Sequence, residues 1–170
     1  MNCGFETKYY SLPILYNYKT KKIVSNNSLE IINILHKDLS NFNYNLYNEF
    51  NEKIVVGTYK VGHAKSEEEY LKWKDQVFDY LDKLETTINV SDLSALDIVM
   101  YCHLIRFDLV FYNLFSVNKK HLWEYPKIYS YLQYLHALFE DSTDLLEIKR
   151  GAYLTENNLP DPKFPYLGKN

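Results

Sequence analysis

The stretch from Ala95 to Phe115 most constrains the fold of this chain, because it is apolar on nearly every side of the helix that its pattern predicts. Ser94 precedes it as the expected N-cap, and Asp97 stands three residues later as the reciprocal partner of a capping box. A helix without a polar face has to be surrounded by other helices. The sequence therefore predicts a helical bundle with this segment as its axis.

Charged and polar residues interrupt the longest apolar run, Ile98 to Phe115, at His103, Arg106 and Asp108. Their presence argues against a membrane span. Within a bundle, an isolated buried charge is also costly, so the two charged residues should be paired or reach solvent, as structural links between helices and not as catalysts. His103 and its neighbour Cys102 are expected to be satisfied core residues and not ligands.

The beginning of the chain has a strand pattern instead. Apolar residues alternate from Leu12 to Tyr16, and Lys22–Ser25 forms a second short strand after a lysine-rich turn, which together predict a β-hairpin. Asn27 or Ser28 can then cap a helix. The apolar positions of that helix follow helical spacing at Ile31, Ile32, Leu35 and Leu39.

Helical patterns continue after an asparagine-rich linker that leads into the next helix. Ser66 and Glu69 have the spacing of a second capping box. The buried face of the helix that follows is expected at Tyr70, Trp73, Val77, Leu81 and Leu84. Pro126 suits the first turn of a later helix, and the final twelve residues, with three prolines, are expected to be irregular. The predicted fold class is α+β then all-α, with domains at 1–45 and 46–170.

Composition narrows the function further. A net charge of −3 argues against nucleic acid as the main partner, because phosphate binding needs a basic surface. The first ten residues lack the apolar core of a secretory signal, and two cysteines, Cys3 and Cys102, are too few for a disulfide framework. A cytoplasmic protein is therefore expected, without membrane partners. The five histidines show no metal-ligand spacing, so no metal is expected.

Five stretches together resemble the glutathione transferase superfamily and, within it, the Xi class of glutathionyl-hydroquinone reductases. They are SLPILYNYKTKKIVSNNSLEII, GTYKVGHA, LSALDIVMYCHLIRFDLVF, YPKIYSYLQYLH and IKRGAYLTENNLPDPKFPYLG. The resemblance implies a partial thioredoxin-like, glutathione-binding domain over residues 1–45. A helical glutathione transferase C-terminal domain over 46–170 would follow it.

The resemblance also implies which residues hold glutathione. Leu12 matches the residue whose backbone pairs with the cysteinyl part, Pro13 matches the family's cis-proline, and Asn27 and Ser28 match an acidic-Ser pair that grips the γ-glutamyl end. Asn27 replaces the acid, and a charge-assisted bond contributes about 1.5–3 kcal/mol against about 1 for a neutral one. Glutathione, as co-substrate, is therefore expected to bind weakly or not at all. The alternatives are a trans proline on an edge strand and two ordinary capping residues.

Tyr59 and Tyr153 match tyrosines that line the quinone pocket in the family, where a phenol can hydrogen-bond to a quinol oxygen. Simple packing is the alternative for both, because the chain contains 17 Tyr and 9 Phe.

The family's nucleophile is a cysteine in a Cys-Pro-Trp motif at the start of the first helix, where the helix N-terminus lowers its pKa. This sequence contains no such motif, and Cys3 is not followed by Pro-Trp. We therefore expect an N-terminally truncated relative that is inactive or impaired in glutathione-dependent reduction. The alternative function is a non-catalytic protein–protein interaction module. An unpaired hairpin edge also predicts a homodimer in which a second copy covers the hairpin. The alternatives are a disordered hairpin and a hairpin covered by the C-terminal tail.

Overall fold

The computed structural model describes residues 12–35, 42–89 and 93–153. Two compact units divide the chain, Met1–Phe42 and Asn43–Asn170. Leu39, Cys3 and the proline-rich tail lie outside the described residues.

The first unit contains the predicted hairpin. Strands β1 (Leu15–Asn17) and β2 (Lys22–Ser25) pair antiparallel, with an irregularity between Leu15 and Tyr16. The Asn17 side chain accepts hydrogen bonds from the backbone N–H groups of Lys19 and Thr20, which closes the turn. The first strand is shorter than the alternation predicts, since Pro13 has no N–H to donate to a ladder. The Leu12–Pro13 peptide bond is cis, as the resemblance predicts.

Helix α1 (Ser28–Leu35) follows β2 directly. Of the two predicted caps, Asn27 performs the role, because its Oδ1 accepts the backbone N–H of Glu30 at 3.0 Å. The Ser25 hydroxyl donates to the Glu30 carboxylate at 2.5 Å and accepts the Asn27 N–H at 3.0 Å. The turn between strand and helix is thus held by hydrogen bonds on both sides.

The second unit is helical, as predicted. Its helices are α2 (Tyr44–Phe50), α3 (Val56–Gly62), α4 (Glu67–Thr87), α5 (Ala95–Arg106), α6 (Tyr112–Leu114), α7 (Pro126–Phe139) and α8 (Leu145–Tyr153). π-helical turns join α2 to α3 at Asn51–Val55 and α5 to α6 at Phe107–Phe111. Short 3₁₀ turns stand at Leu122–Glu124 and Glu140–Ser142. The asparagine-rich linker predicted over residues 40–51 is therefore shorter than expected, because α2 already begins at Tyr44.

The apolar segment from Ala95 onward forms the centre of this bundle, which confirms the main sequence prediction. Its buried residues include Met100, Leu104, Phe107 and Phe111. The prediction that helices surround it on every side is wrong, because Ile98 is 40% exposed. The helix is also interrupted by the π-helical turn that begins after Arg106.

The two predicted capping boxes have different outcomes. Asp97 Oδ2 accepts the Ser94 N–H at 2.7 Å and the Ser94 hydroxyl at 2.6 Å, and Asp97 Oδ1 accepts the Tyr131 hydroxyl at 2.6 Å. At the start of α4, Ser66 Oγ accepts the Glu69 N–H at 3.2 Å, as predicted. The Glu69 carboxylate, however, accepts the N–H of Lys65 and not that of Ser66, so the second box is only half formed.

Helix α4 buries Val77, Leu81 and Leu84 on the predicted face, whereas Tyr70 and Trp73 are only partly covered. Pro126 occupies the first turn of α7, as predicted. The carboxylate of Glu85 accepts the free N–H groups of Lys127 and Ile128, which is a cap from another helix that the sequence does not indicate. Across the described ranges, no helix has the length and apolar character needed to span a membrane.

Candidate functional site

The four residues predicted to hold glutathione lie at one end of the hairpin. Leu12 and Pro13 immediately precede β1, and Asn27 and Ser28 immediately follow β2. The strands are antiparallel, and Leu15 is paired with Ser25. The start of β1 and the end of β2 therefore lie side by side at the same end of the sheet. All four residues are exposed. The hairpin thus brings together two segments that are separated in the sequence.

The chemistry of this end suits an anionic group. Helix α1 begins at Ser28, where the first backbone N–H groups of a helix lack intrahelical acceptors and the macrodipole is positive. The Asn27 side chain is engaged in capping, so its amide oxygen already has a donor. Glu30 is an acidic residue that sequence reasoning missed at this turn, although its position three residues after Asn27 was a usable signal.

Tyr59 lies in α3, in the second unit, and its side chain is 49% exposed. Its ring packs against Phe111 and Phe115, with centroids 5.8 and 5.2 Å away, and against His63 at 6.4 Å. The His63 ring is held by a 2.8 Å hydrogen bond between Nδ1 and the Tyr59 carbonyl oxygen. A carbonyl only accepts, so Nδ1 carries the proton. Tyr59 therefore presents a supported, open aromatic face.

Gly62 allows this aromatic packing. A Cβ at Gly62 would overlap the ring of Phe115, so only glycine leaves room for that ring beside α3.

Tyr153 ends α8 and differs from Tyr59 in exposure. Its hydroxyl oxygen is buried and lies beside Asn113 and the backbone of Leu114, and burial raises its pKa. Both tyrosines thus pack against the same helical segment, residues 111–115, but only Tyr59 offers a broad exposed surface.

The polar residues of the central helix divide into three cases. His103 is the core residue that was predicted, because it is buried between the rings of Phe50 and Phe111. Burial also lowers its pKa to about 3, so it is neutral. Asp108 links two segments, because it accepts the backbone N–H of Leu122. Arg106 does not act as such a link: its guanidinium donates to the carbonyl of Cys102 in its own helix.

Cys102 contradicts its prediction as a core residue, because it is exposed. The helical pattern places it on the face of α5 that carries Ile98 and Arg106, and this face is the open one. Within the described ranges, no three His, Cys, Asp or Glu side chains are positioned to hold a metal ion.

A hairpin and helix of thioredoxin type followed by a helical bundle is the glutathione transferase arrangement, and solved structures show it. Glutathione transferase Xi 1 from Trametes versicolor superposes with a TM-score of 0.80 at 25% identity, covering 96% of this chain and 68% of that one. Glutathione-bound YqjG from Escherichia coli K-12 has a TM-score of 0.74 at 23% identity, covering 88% of this chain and 56% of that one.

Curated relatives agree with this fold. The chain is 26% identical to glutathione S-transferase omega-like 3 of Saccharomyces cerevisiae, over 84% of this chain and 52% of that protein. It is 27% identical to the glutathionyl-hydroquinone reductase YqjG of E. coli, over 75% of this chain and 45% of that protein. The chain therefore spans about half the length of these relatives.

No protein-family model matches the chain.

These homologues and structural neighbours are Xi-class glutathione transferases, including glutathionyl-hydroquinone reductases and omega-like proteins. The resemblance predicted from the sequence is confirmed, and so is the fold class.

Proposed function

We propose that this chain is a glutathione transferase-like protein of the glutathionyl-hydroquinone reductase type, which binds glutathione through Leu12, Pro13, Asn27 and Ser28. The observation that carries the proposal is the antiparallel register of the hairpin, which brings both predicted binding segments to one end of the sheet. It is supported by the similarity to a glutathione S-transferase omega-like protein over 84% of the chain and to a glutathionyl-hydroquinone reductase over 75% of the chain.

The physical basis for binding lies at the start of α1. A ligand carboxylate there meets free backbone N–H groups and the positive end of the helix dipole, and the Ser28 hydroxyl adds a donor. The ammonium of the γ-glutamyl group meets no charge at Asn27. Glu30 lies one turn away and supplies the negative charge of this region. Affinity is therefore weak relative to a site with an acid in place of Asn27.

Tyr59 is the residue that would contact a quinone-type compound, through stacking on its open face and through its hydroxyl. Tyr153 would support the same wall by packing against residues 113 and 114. We propose that the 170-residue chain does not turn over such compounds, because neither Cys3 nor Cys102 stands in a Cys-Pro-Trp motif. Cys102 lies in the middle of α5 and not at a helix N-terminus. We also propose that the protein is cytoplasmic and forms a homodimer.

Titration of the chain with glutathione, followed by the amide NMR signals of residues 12–35, tests the binding. We expect saturable shifts at the hairpin end, and a weaker affinity for Ser28→Ala. Ser130→Ala is the matched control, since that hydroxyl donates to the carbonyl of Pro126 within α7. Absence of any saturable shift in the hairpin would overturn the proposal and favour the interaction module.

A further inference from the structure

A cleft of about 510 Å³ opens on the exposed face of α5, between this helix, the end of α7 and the start of α8. Its walls are apolar at Ile98, Ile105, Phe139 and Ile148, and it also contains Cys102 and Arg106. This volume and this mixture, an apolar lining with a few polar groups, are typical of sites that bind small molecules. Neither the glutathione-binding residues nor Tyr59 belong to it.

Arg106 is the charged group of the cleft that could bind a ligand. One of its N–H groups donates to the Cys102 carbonyl, and a guanidinium has five such donors. Across residues 12–35, 42–89 and 93–153, no carboxylate forms an ion pair with it. A half-buried guanidinium beside apolar walls is a natural partner for a carboxylate, which it can bind through two parallel hydrogen bonds.

Two acidic residues also line the cleft, but both are engaged. Asp144 Oδ1 accepts the Glu147 backbone N–H at 2.9 Å as the cap of α8. The Glu147 carboxylate pairs with Arg150 at 2.7 Å. Neither carboxylate forms an ion pair with Arg106, so the remaining guanidinium donors are left for a ligand.

The floor of the cleft is already ordered. The Tyr101 hydroxyl lies 2.9 Å from His136 Nδ1 and 2.8 Å from Thr143 Oγ1, and its ring packs against Phe139. These bonds join α5 to α7 and to the turn that precedes α8. A site that is formed before its ligand arrives loses less conformational entropy on binding.

We propose that this cleft binds a small organic carboxylate with an apolar body, the carboxylate on Arg106 and the body against Ile98, Ile105 and Phe139. The lining of the cleft includes none of the residues proposed to bind glutathione, so either proposal can fail without the other.

Cys102 makes the cleft directly measurable, because its thiol lies in the lining and is exposed. The test uses the full chain with Cys3→Ser, so that only Cys102 reacts with N-ethylmaleimide. The probe is 4-phenylbutyrate, and its uncharged counterpart is 4-phenylbutan-1-ol. Calorimetric titration gives the Kd of each. At ten times its Kd, 4-phenylbutyrate should slow alkylation about tenfold, because about nine-tenths of the sites are occupied.

Arg106→Gln should weaken 4-phenylbutyrate about tenfold, the loss of about 1.4 kcal/mol, and leave the alcohol within about twofold. Lys65→Gln removes a positive charge at an exposed position outside the cleft. This variant should bind both 4-phenylbutyrate and 4-phenylbutan-1-ol as tightly as the parent does. Equal binding of acid and alcohol to the unsubstituted cleft overturns the proposal, and this comparison requires no folded variant. Undetectable heat together with undiminished alkylation at about 10 mM probe, about ten times a Kd of 1 mM, also overturns the proposal.

Discussion

The Asp108 carboxylate accepts the backbone N–H of Leu122 through both oxygens, at 3.0 and 3.1 Å. This contact fastens the π-helical turn of the central helix to the 3₁₀ turn that leads into α7. His121 approaches the same carboxylate, with Nδ1 3.5 Å from Oδ1, and its ring is stacked between Tyr112 and Trp123. Burial lowers the pKa of His121, so at neutral pH it adds no positive charge to the carboxylate.

Asp108 gives the first prediction, which concerns pH. Burial raises its pKa from 3.8 to about 7, with a smaller contribution from the nearby Glu124. An acid whose folded-state pKa is raised binds more protons when folded, so its stabilising contribution is present at low pH and is lost between about pH 4 and 7. Asp108→Asn keeps an oxygen for Leu122 but does not titrate. We expect the variant to gain about 1–3 kcal/mol in free energy of unfolding relative to the parent between pH 5 and pH 8.

Urea unfolding at pH 5 and pH 8 measures this difference. Comparing the two proteins at each pH removes the opposite effect of His103, whose low pKa makes the folded state less stable as the pH falls below about 6.5. A difference between variant and parent that is the same at both pH values would contradict the assignment.

Gly62 gives the second prediction. Replacing a helical glycine with alanine normally stabilises a helix by about 0.5–1 kcal/mol. At Gly62 the added methyl group would overlap the Phe115 ring, so we expect Gly62→Ala to lower the free energy of unfolding by about 1–3 kcal/mol. Gly151→Ala, in α8, is the control, because a Cβ there has no atom within 4 Å. Relative to the parent, the denaturant midpoint should therefore fall for Gly62→Ala and rise for Gly151→Ala. A Gly62→Ala variant that is more stable than the parent would show that the Phe115 ring can move away from the added methyl group.

Much of this fold was predictable, because its signals are local. The Ser94–Asp97 box, Pro126 at the start of α7 and the Leu15–Ser25 hairpin each depend on residues close in the sequence. The role of Glu85 as the cap of α7 was not predictable from the sequence. Its partners are the N–H groups of Lys127 and Ile128, which lie about forty positions further along the chain.

The same limit applies to the candidate sites. Resemblance supplied the candidate glutathione-binding residues near Pro13 and Ser28, and the register of the hairpin places both segments at one end of the sheet. Cys102 and Arg106 were placed wrongly, as a core residue and an interhelical link. Helical periodicity shows that they share a face with Ile98 but not whether another helix covers that face.

The third prediction concerns local stability. The second unit contains the buried axis and most of the core, whereas no residue of α1 is buried. Amide hydrogen exchange should therefore protect residues 98–112 more strongly than residues 15–35. Mass-spectrometric exchange under native conditions checks this order, and stronger protection of the hairpin would contradict it.

The fourth prediction concerns assembly. Several large apolar side chains of the first unit are exposed, with exposed fractions of 84% at Leu12, 75% at Tyr18 and 67% at Leu35. The sheet formed by the described residues has two short strands, and a sheet of this size is marginal in water unless it is covered. Open strand edges and apolar faces favour pairing with another chain. We therefore expect light scattering to give the mass of a dimer.

Val24, in β2, provides the test of where that dimer forms, because its side chain is exposed on the hairpin. A lysine on a strand that pairs with another chain opposes that pairing through its charge and its hydration. Val24→Lys should therefore shift the mass toward the monomer, whereas Leu71→Lys, at a similarly exposed apolar position in α4, should not. A monomeric parent chain, or a dimer that only Leu71→Lys disrupts, would show that the hairpin is not the interface.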